Sequence, residues 1–169
     1  ELTEVRERYP NIRIQYEHTH SNVYFYDDSG NTLLKTVTVY DGEDAAYSGS
    51  NPTKASTAQY SYSFSGWSLT VGGAANANAL KAVVSDRNVY AAFTSTVWKY
   101  TVRFYNGTTL AQTVSEVPYG SNASYTGNTP VKTDVEKPED YEFTGWNPSP
   151  NGITGNTDCY AQYRFIGYI

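Results

Sequence analysis

The sequence predicts a mainly β chain, α+β at most, built as two small domains in tandem behind a short N-terminal helix–strand segment. Three observations predict it: a long pattern recurs in register, apolar and polar residues alternate with period two inside each copy, and Asn, Asp, Gly and Pro punctuate those runs. Val23-Tyr24-Phe25-Tyr26, Gly42, Tyr47-Ser48-Gly49, Pro52-Thr53-Lys54 and Phe64-Ser65-Gly66-Trp67 return as Val102-Arg103-Phe104-Tyr105, Gly120, Tyr125-Thr126-Gly127, Pro130-Val131-Lys132 and Phe143-Thr144-Gly145-Trp146. Phe25 and Phe104 lie 79 residues apart, Gly42 and Gly120 78, Trp67 and Trp146 again 79. Beyond the tryptophans the offset falls to 70, because Asn88–Phe93 returns as Asp158–Tyr163. The first copy therefore carries nine extra residues before its last strand.

Taken in order, residues 1–20 read as the helix–strand segment, the end of a preceding domain or a unit docked on the first copy. Leu2, Val5 and Tyr9 sit at helical spacing, Pro10 stops that run, and Ile12, Ile14 and Tyr16 then alternate with polar residues. The first domain spans 21–95 and the second 96–169, with 164–169 read as the start of a following element. Each copy opens with a hairpin, turned at Asp28-Ser29-Gly30-Asn31 and at Asn106-Gly107, residue types that tolerate positive φ. Leu33, Val37 and Val39, then Leu110, Val114 and Val117, continue as second strands; 48–58 and 126–138 read as loops, and 88–93 and 158–163 as final strands. Within the inserted region, 72–87, the Ala-rich run Asn76–Val84 predicts one or two helical turns. Residues 94–100 lack Pro and Gly and place Trp98 at the junction, which predicts a restricted linker.

Domains of this size hold thin cores, and seventeen Tyr, six Phe and three Trp are an efficient way to fill them, since an aromatic ring buries about 150–250 Å². A net charge of −5 with twelve dispersed Lys and Arg supplies no basic stripe, so nucleic acid is excluded as a partner. No apolar run approaches the roughly 18 residues of a membrane span, so direct membrane insertion is not expected. The chain reads as a segment of something larger, with flanking domains and any anchor elsewhere. One cysteine forms no intramolecular disulfide, and Cys159, aligned with Val89, reads as a small buried apolar residue.

The order V-x-F-Y, hairpin, V-x-x-G, P-x-K, aromatic-x-F-x-G-W and Y-A-x-aromatic resembles the Listeria–Bacteroides repeat, the B-repeat of internalin-type surface proteins, over about 23–93 and 102–163. It departs from that pattern at Ser61 and Asp140, where a Gly usually precedes the aromatic, and in the insertion. The resemblance implies two tandem β-grasp-like domains in a non-catalytic spacer or adhesion module of an extracellular bacterial cell-surface protein. The competing reading is a phage-tail or receptor-binding component on a virion. The partners implied are a host or bacterial surface protein or a glycan; no cofactor, metal or catalytic residue comes with the resemblance.

Candidate sites follow from the residue types. Trp67 and Trp146 have two readings: core packing, or a platform on which sugar rings stack. In a regular strand Phe64 and Gly66 would face one side and Ser65 and Trp67 the other, with the glycine leaving room for a close neighbour. His18 and His20 share a face but lack a third ligand at metal spacing. Asp27-x-Ser29-x-Asn31 opens like a calcium loop, yet Thr32 and Thr38 stand where that loop needs Gly and Glu, so a hairpin turn is expected. Neither Cys159 nor the acid pairs Asp27/Asp28, Glu43/Asp44 and Glu139/Asp140 come with a partner that would make them catalytic, so no enzyme activity is expected. The sequons at Asn106 and Asn122 matter only in a eukaryotic secretory pathway.

Overall fold

The computed structural model describes residues 18–168, so most of the expected N-terminal helix–strand segment, residues 1–17, lies outside the described residues. Two four-stranded mixed sheets of one topology follow one another. The first comprises β1 (His20–Tyr26), β2 (Leu33–Tyr40), β3 (Tyr60–Ser68) and β4 (Arg87–Val97) in the order β2-β1-β4-β3. The second comprises β5 (Lys99–Asn106), β6 (Thr109–Pro118), β7 (Tyr141–Asn147) and β8 (Thr157–Phe165) in the order β6-β5-β8-β7. The only helical element among the described residues is a single 3-10 turn, Pro138–Asp140.

The hairpins form where the turn residues put them. In the first, the Asp27 carboxylate accepts the Ser29 hydroxyl at 2.9 Å and the backbone N–H of Asn31 at 3.0 Å. The calcium-like spacing is thus a side chain fastening its own turn. In the second, Asn106 pairs with Thr109 across a two-residue link led by Gly107. The two inner strands of each sheet run parallel, Phe25 beside Val89 and Phe104 beside Cys159, and this requires a long crossover between them.

No helix fills that crossover. In the first copy Gly42 N–H donates to the Val83 carbonyl (2.7 Å), Val83 N–H to Glu43 (2.8 Å) and Ala45 N–H to Leu80 (2.8 Å). The second copy repeats the three bonds as Gly120 to Ile153 (2.6 Å), Ile153 to Ser121 (2.8 Å) and Ala123 to Pro150 (2.8 Å). These irregular ladders close the core and correct the helical reading of Asn76–Val84. The Leu80 carbonyl and both polar groups of Val83 are bonded outside the segment, and Ala82 sits at φ +42°, where a helix cannot continue. Isolated turns remain, with Ala79 N–H on Asn76 at 3.0 Å and Lys81 N–H on Asn78 at 3.1 Å.

The first core gathers Val23, Phe25, Trp67, Val83, Val89 and Ala91; the second gathers Val102, Phe104, Val117, Ala123, Ile153 and Cys159. By packing, one compact unit takes 18–52 and 64–94, and the other takes 53–63 and 95–168. Within the latter, the Trp98 N–H donates to the Gln59 carbonyl and Tyr119 N–H to the Trp98 carbonyl, both at 2.9 Å, and the Tyr100 hydroxyl donates to the Ala58 carbonyl.

Candidate functional site

The strands that carry the two candidate tryptophans, β3 and β7, lie at the edges of their sheets. Strict alternation would put Phe143 and Trp146 on opposite faces, but pairing with β8 jumps from Phe143–Tyr163 to Gly145–Gln162, leaving Thr144 as the extra residue of a bulge. The bulge reverses the parity, so both large rings turn inward. Gly145 accommodates it at φ +136° and Gly66 matches at +134°, a region essentially restricted to glycine. The expected role of this glycine as a gap for a neighbour holds in the first copy only: a Cβ on Gly66 would come within 3.2 Å of the Ala75 methyl, whereas one on Gly145 would meet nothing within 4 Å.

Each indole then completes a four-ring cluster. Trp67 meets Phe25 at 4.7 Å between centroids, Tyr47 at 4.8 Å and Phe64 at 5.4 Å; Trp146 meets Phe104 at 4.7 Å, Tyr125 at 4.8 Å and Phe143 at 5.4 Å. Most contacts are edge-on or tilted, as the ring quadrupoles prefer. Trp67 keeps 6% of its surface exposed, while Trp146 is half-buried. The Tyr-x-Gly motif belongs to the cluster, because a Cβ on Gly49 or Gly127 would fall under 3 Å from the ring of Tyr47 or Tyr125. The recurrence of Tyr-x-Gly was a visible signal for these two rings, whose membership in the cluster the sequence reading missed. The Pro-x-Lys motif also acquires a role: Lys54 Nζ lies 4.8 Å from the Tyr62 ring centre and Lys132 Nζ 5.4 Å from that of Tyr141, cation–π contacts.

The remaining candidates are engaged structurally. His18 and His20 pack on the Tyr40 ring at 5.2 and 4.4 Å, and no group of three His, Cys, Asp or Glu converges among the described residues. Cys159 is fully buried, and burial, reinforced by Asp158, pushes its thiol above the usual range. Asp44 holds Lys81 at 2.7 Å and the Ala82 N–H at 2.9 Å, and these bonds lower its carboxyl below the usual value. Asn106 is bonded on both sides of its carboxamide, donating to Val131 and accepting the Tyr163 hydroxyl; Asn122 accepts the Gly152 N–H.

Among the described residues, two depressions bear on function. A polar one of about 290 Å³ lies between the Asn106–Thr109 turn, Lys132, Asp134 and Tyr163. A larger one of about 500 Å³ lies in the first unit, lined by Gly66, Trp67, Ala75, Ala77 and Leu80, with Ala75 close against Gly66. Sequence reasoning singled out the insertion but not the cavity it walls.

No protein-family model matches the chain, and no curated protein does. Among solved structures the chain is similar to domains 3–4 of the Streptococcal High Identity Repeats in Tandem (SHIRT) of a cell surface protein. The likeness is at 14% identity and a TM-score of 0.33, covering 86% of this chain and 97% of that one.

Proposed function

We propose that the chain is a pair of non-catalytic repeat modules of a bacterial surface protein, acting as a spacer that extends and presents its neighbouring domains. One observation carries the reading: what recurs between the copies builds the module. The aromatic cluster, the bulge glycine, Tyr-x-Gly, the Pro-x-Lys cation and the three crossover bonds each serve packing or backbone geometry. A repeated catalytic or adhesive site would leave recurring side chains with no structural role. On this reading Trp67 and Trp146 serve their cores, and neither is a repeated sugar platform. The small domain size, with cores built on rings, suits an element whose task is to hold length and shape.

The test joins the chain between a surface anchor and an epitope on a heterologous bacterium. Antibody access to the epitope is expected to rise from no module to one to two, and to persist when exposed side chains away from the cores are exchanged. Saturable binding of the fluorescent chain to bacterial or mammalian cells, abolished by those exchanges, would replace the spacer reading with adhesion.

A further inference from the structure

The second copy shows how little chain the module needs after its tryptophan. There Trp146 is followed by Asn147-Pro148-Ser149, and Pro150 already makes the crossover bond. The first copy reaches the equivalent Leu80 only after Leu69–Ala79, a loop that adds no strand and buries only Ala79. Folding therefore does not require the loop, yet it is held firmly. Asn76 N–H donates to the Trp67 carbonyl at 2.8 Å, Asn78 N–H to the Asn76 side chain at 2.8 Å, and the Arg87 guanidinium to the carbonyls of Ala79 at 3.1 Å and Lys81 at 3.3 Å. Thr157 stands where Arg87 does in the second copy, so this clamp belongs to the insertion alone.

What the clamp fixes is one wall of the cavity of about 500 Å³, within the range of small-molecule sites. Its lining is amphiphilic. Leu80 and the methyls of Ala75 and Ala77 offer apolar surface beside the nearly buried Trp67, while Ser65, Asn76 and Lys81 offer donors and acceptors. Lys81 is already neutralised by Asp44 at 2.7 Å, so the lining favours no ionic ligand. We infer that the first module, and not the second, binds a neutral saccharide in this cavity, the pyranose C–H face lying on the alanine and leucine methyls and its hydroxyls reaching Ser65, Asn76 and Lys81. The spacer role stands if the site fails.

The experiment titrates the isotope-labelled chain with lactose, cellobiose and diacetylchitobiose at millimolar concentration, following backbone amide shifts, with a capped phenylalanine dipeptide as a non-sugar probe. At least one disaccharide is expected to shift amides in 65–67 and 75–81 saturably, with no matching shifts in 144–152. Ala77→Phe, which fills the cavity, should weaken binding about tenfold or more. Replacing Leu69–Ala79 by the Pro-Ser of the second copy should abolish it while the shifts of Val23 and Phe25 persist; if that exchange does not fold, Ala77→Phe decides. No shift with any disaccharide, shifts that survive filling, or shifts with the dipeptide alone would each overturn the inference, the last in favour of an apolar peptide side chain.

Discussion

Replacing Gly145 by alanine tests the bulge that turns both rings inward. An added Cβ meets no atom within 4 Å, so the cost is one of backbone conformation alone. Holding a non-glycine residue near φ +136° costs about 1–3 kcal/mol. The chain can escape only by straightening β7, which would swing Trp146 away from Phe104, Tyr125 and Phe143. Cys159, the sole cysteine, reads this out because it is fully buried in the same core. Its labelling by a thiol reagent, under conditions where opening pre-equilibrates, should accelerate about 5- to 150-fold, since each 1.4 kcal/mol is about tenfold. The corresponding melting shift is roughly 4–8 °C per kcal/mol for a module this size. Gly155→Ala is the control: that glycine carries no positive φ and also has open space, so labelling should slow slightly or stay unchanged. If Gly145→Ala labels no faster than the parent, the glycine does not impose the bulge and the account of F-x-G-W fails.

Three further outcomes follow from the comparison of copies. Ala82 at φ +42° stands where the second copy has Gly152 at +62°, so Ala82→Gly should stabilise the first module by roughly 0.5–1 kcal/mol, and calorimetry showing a loss would contradict this. Asp44, lowered first by the Lys81 bond and then by the Ala82 N–H, contributes stability that is complete above its ordinary 3.8 and lost as pH falls through its lower folded value. Asp44→Asn keeps the Ala82 acceptor, as Asn122 does for Gly152, and should flatten that acid limb; an unchanged slope in acid titrations would assign it elsewhere, for instance to Asp41. Arg87→Ala removes a charged donor from two carbonyls, worth about 1.5–3 kcal/mol of local opening, so the Lys81 amide should exchange faster while Val89 is unaffected; equal acceleration at both would indicate general destabilisation.

The strands were legible because burial alternates along them: Val23 and Phe25, and Val102 and Phe104, face inward as their spacing says. Cys159 was legible too, through its alignment with Val89. The face of Trp146 was not, since the bulged Thr144 reverses every later side chain and period two cannot announce it. Glycine at the same place in both copies marked the spot; positive φ is the reason common to both, and close packing is added only at Gly66. The helix expected at Asn76–Val84 failed for another cause. Alanine propensity contributes only tenths of a kcal/mol per residue, whereas the backbone groups of Leu80 and Val83 make long-range bonds that close the core.

The two copies also act as an internal control on where function can be read. Trp67 and Trp146 have the same three ring neighbours at matching separations, so the shared motif cannot distinguish a binding residue from a core residue. Only the differences can. Arg87, Lys81 and the alanines of the insertion have no counterparts in the second module, and that module closes the same crossover without them. Side chains that are positioned by several hydrogen bonds, yet dispensable to the fold in its own second copy, are where a requirement beyond folding has to be sought. In this chain Lys81 and the alanines line the cavity next to Trp67 and Arg87 ties down the backbone that carries them, a site which the repeated sequence alone would have assigned to both modules or to neither.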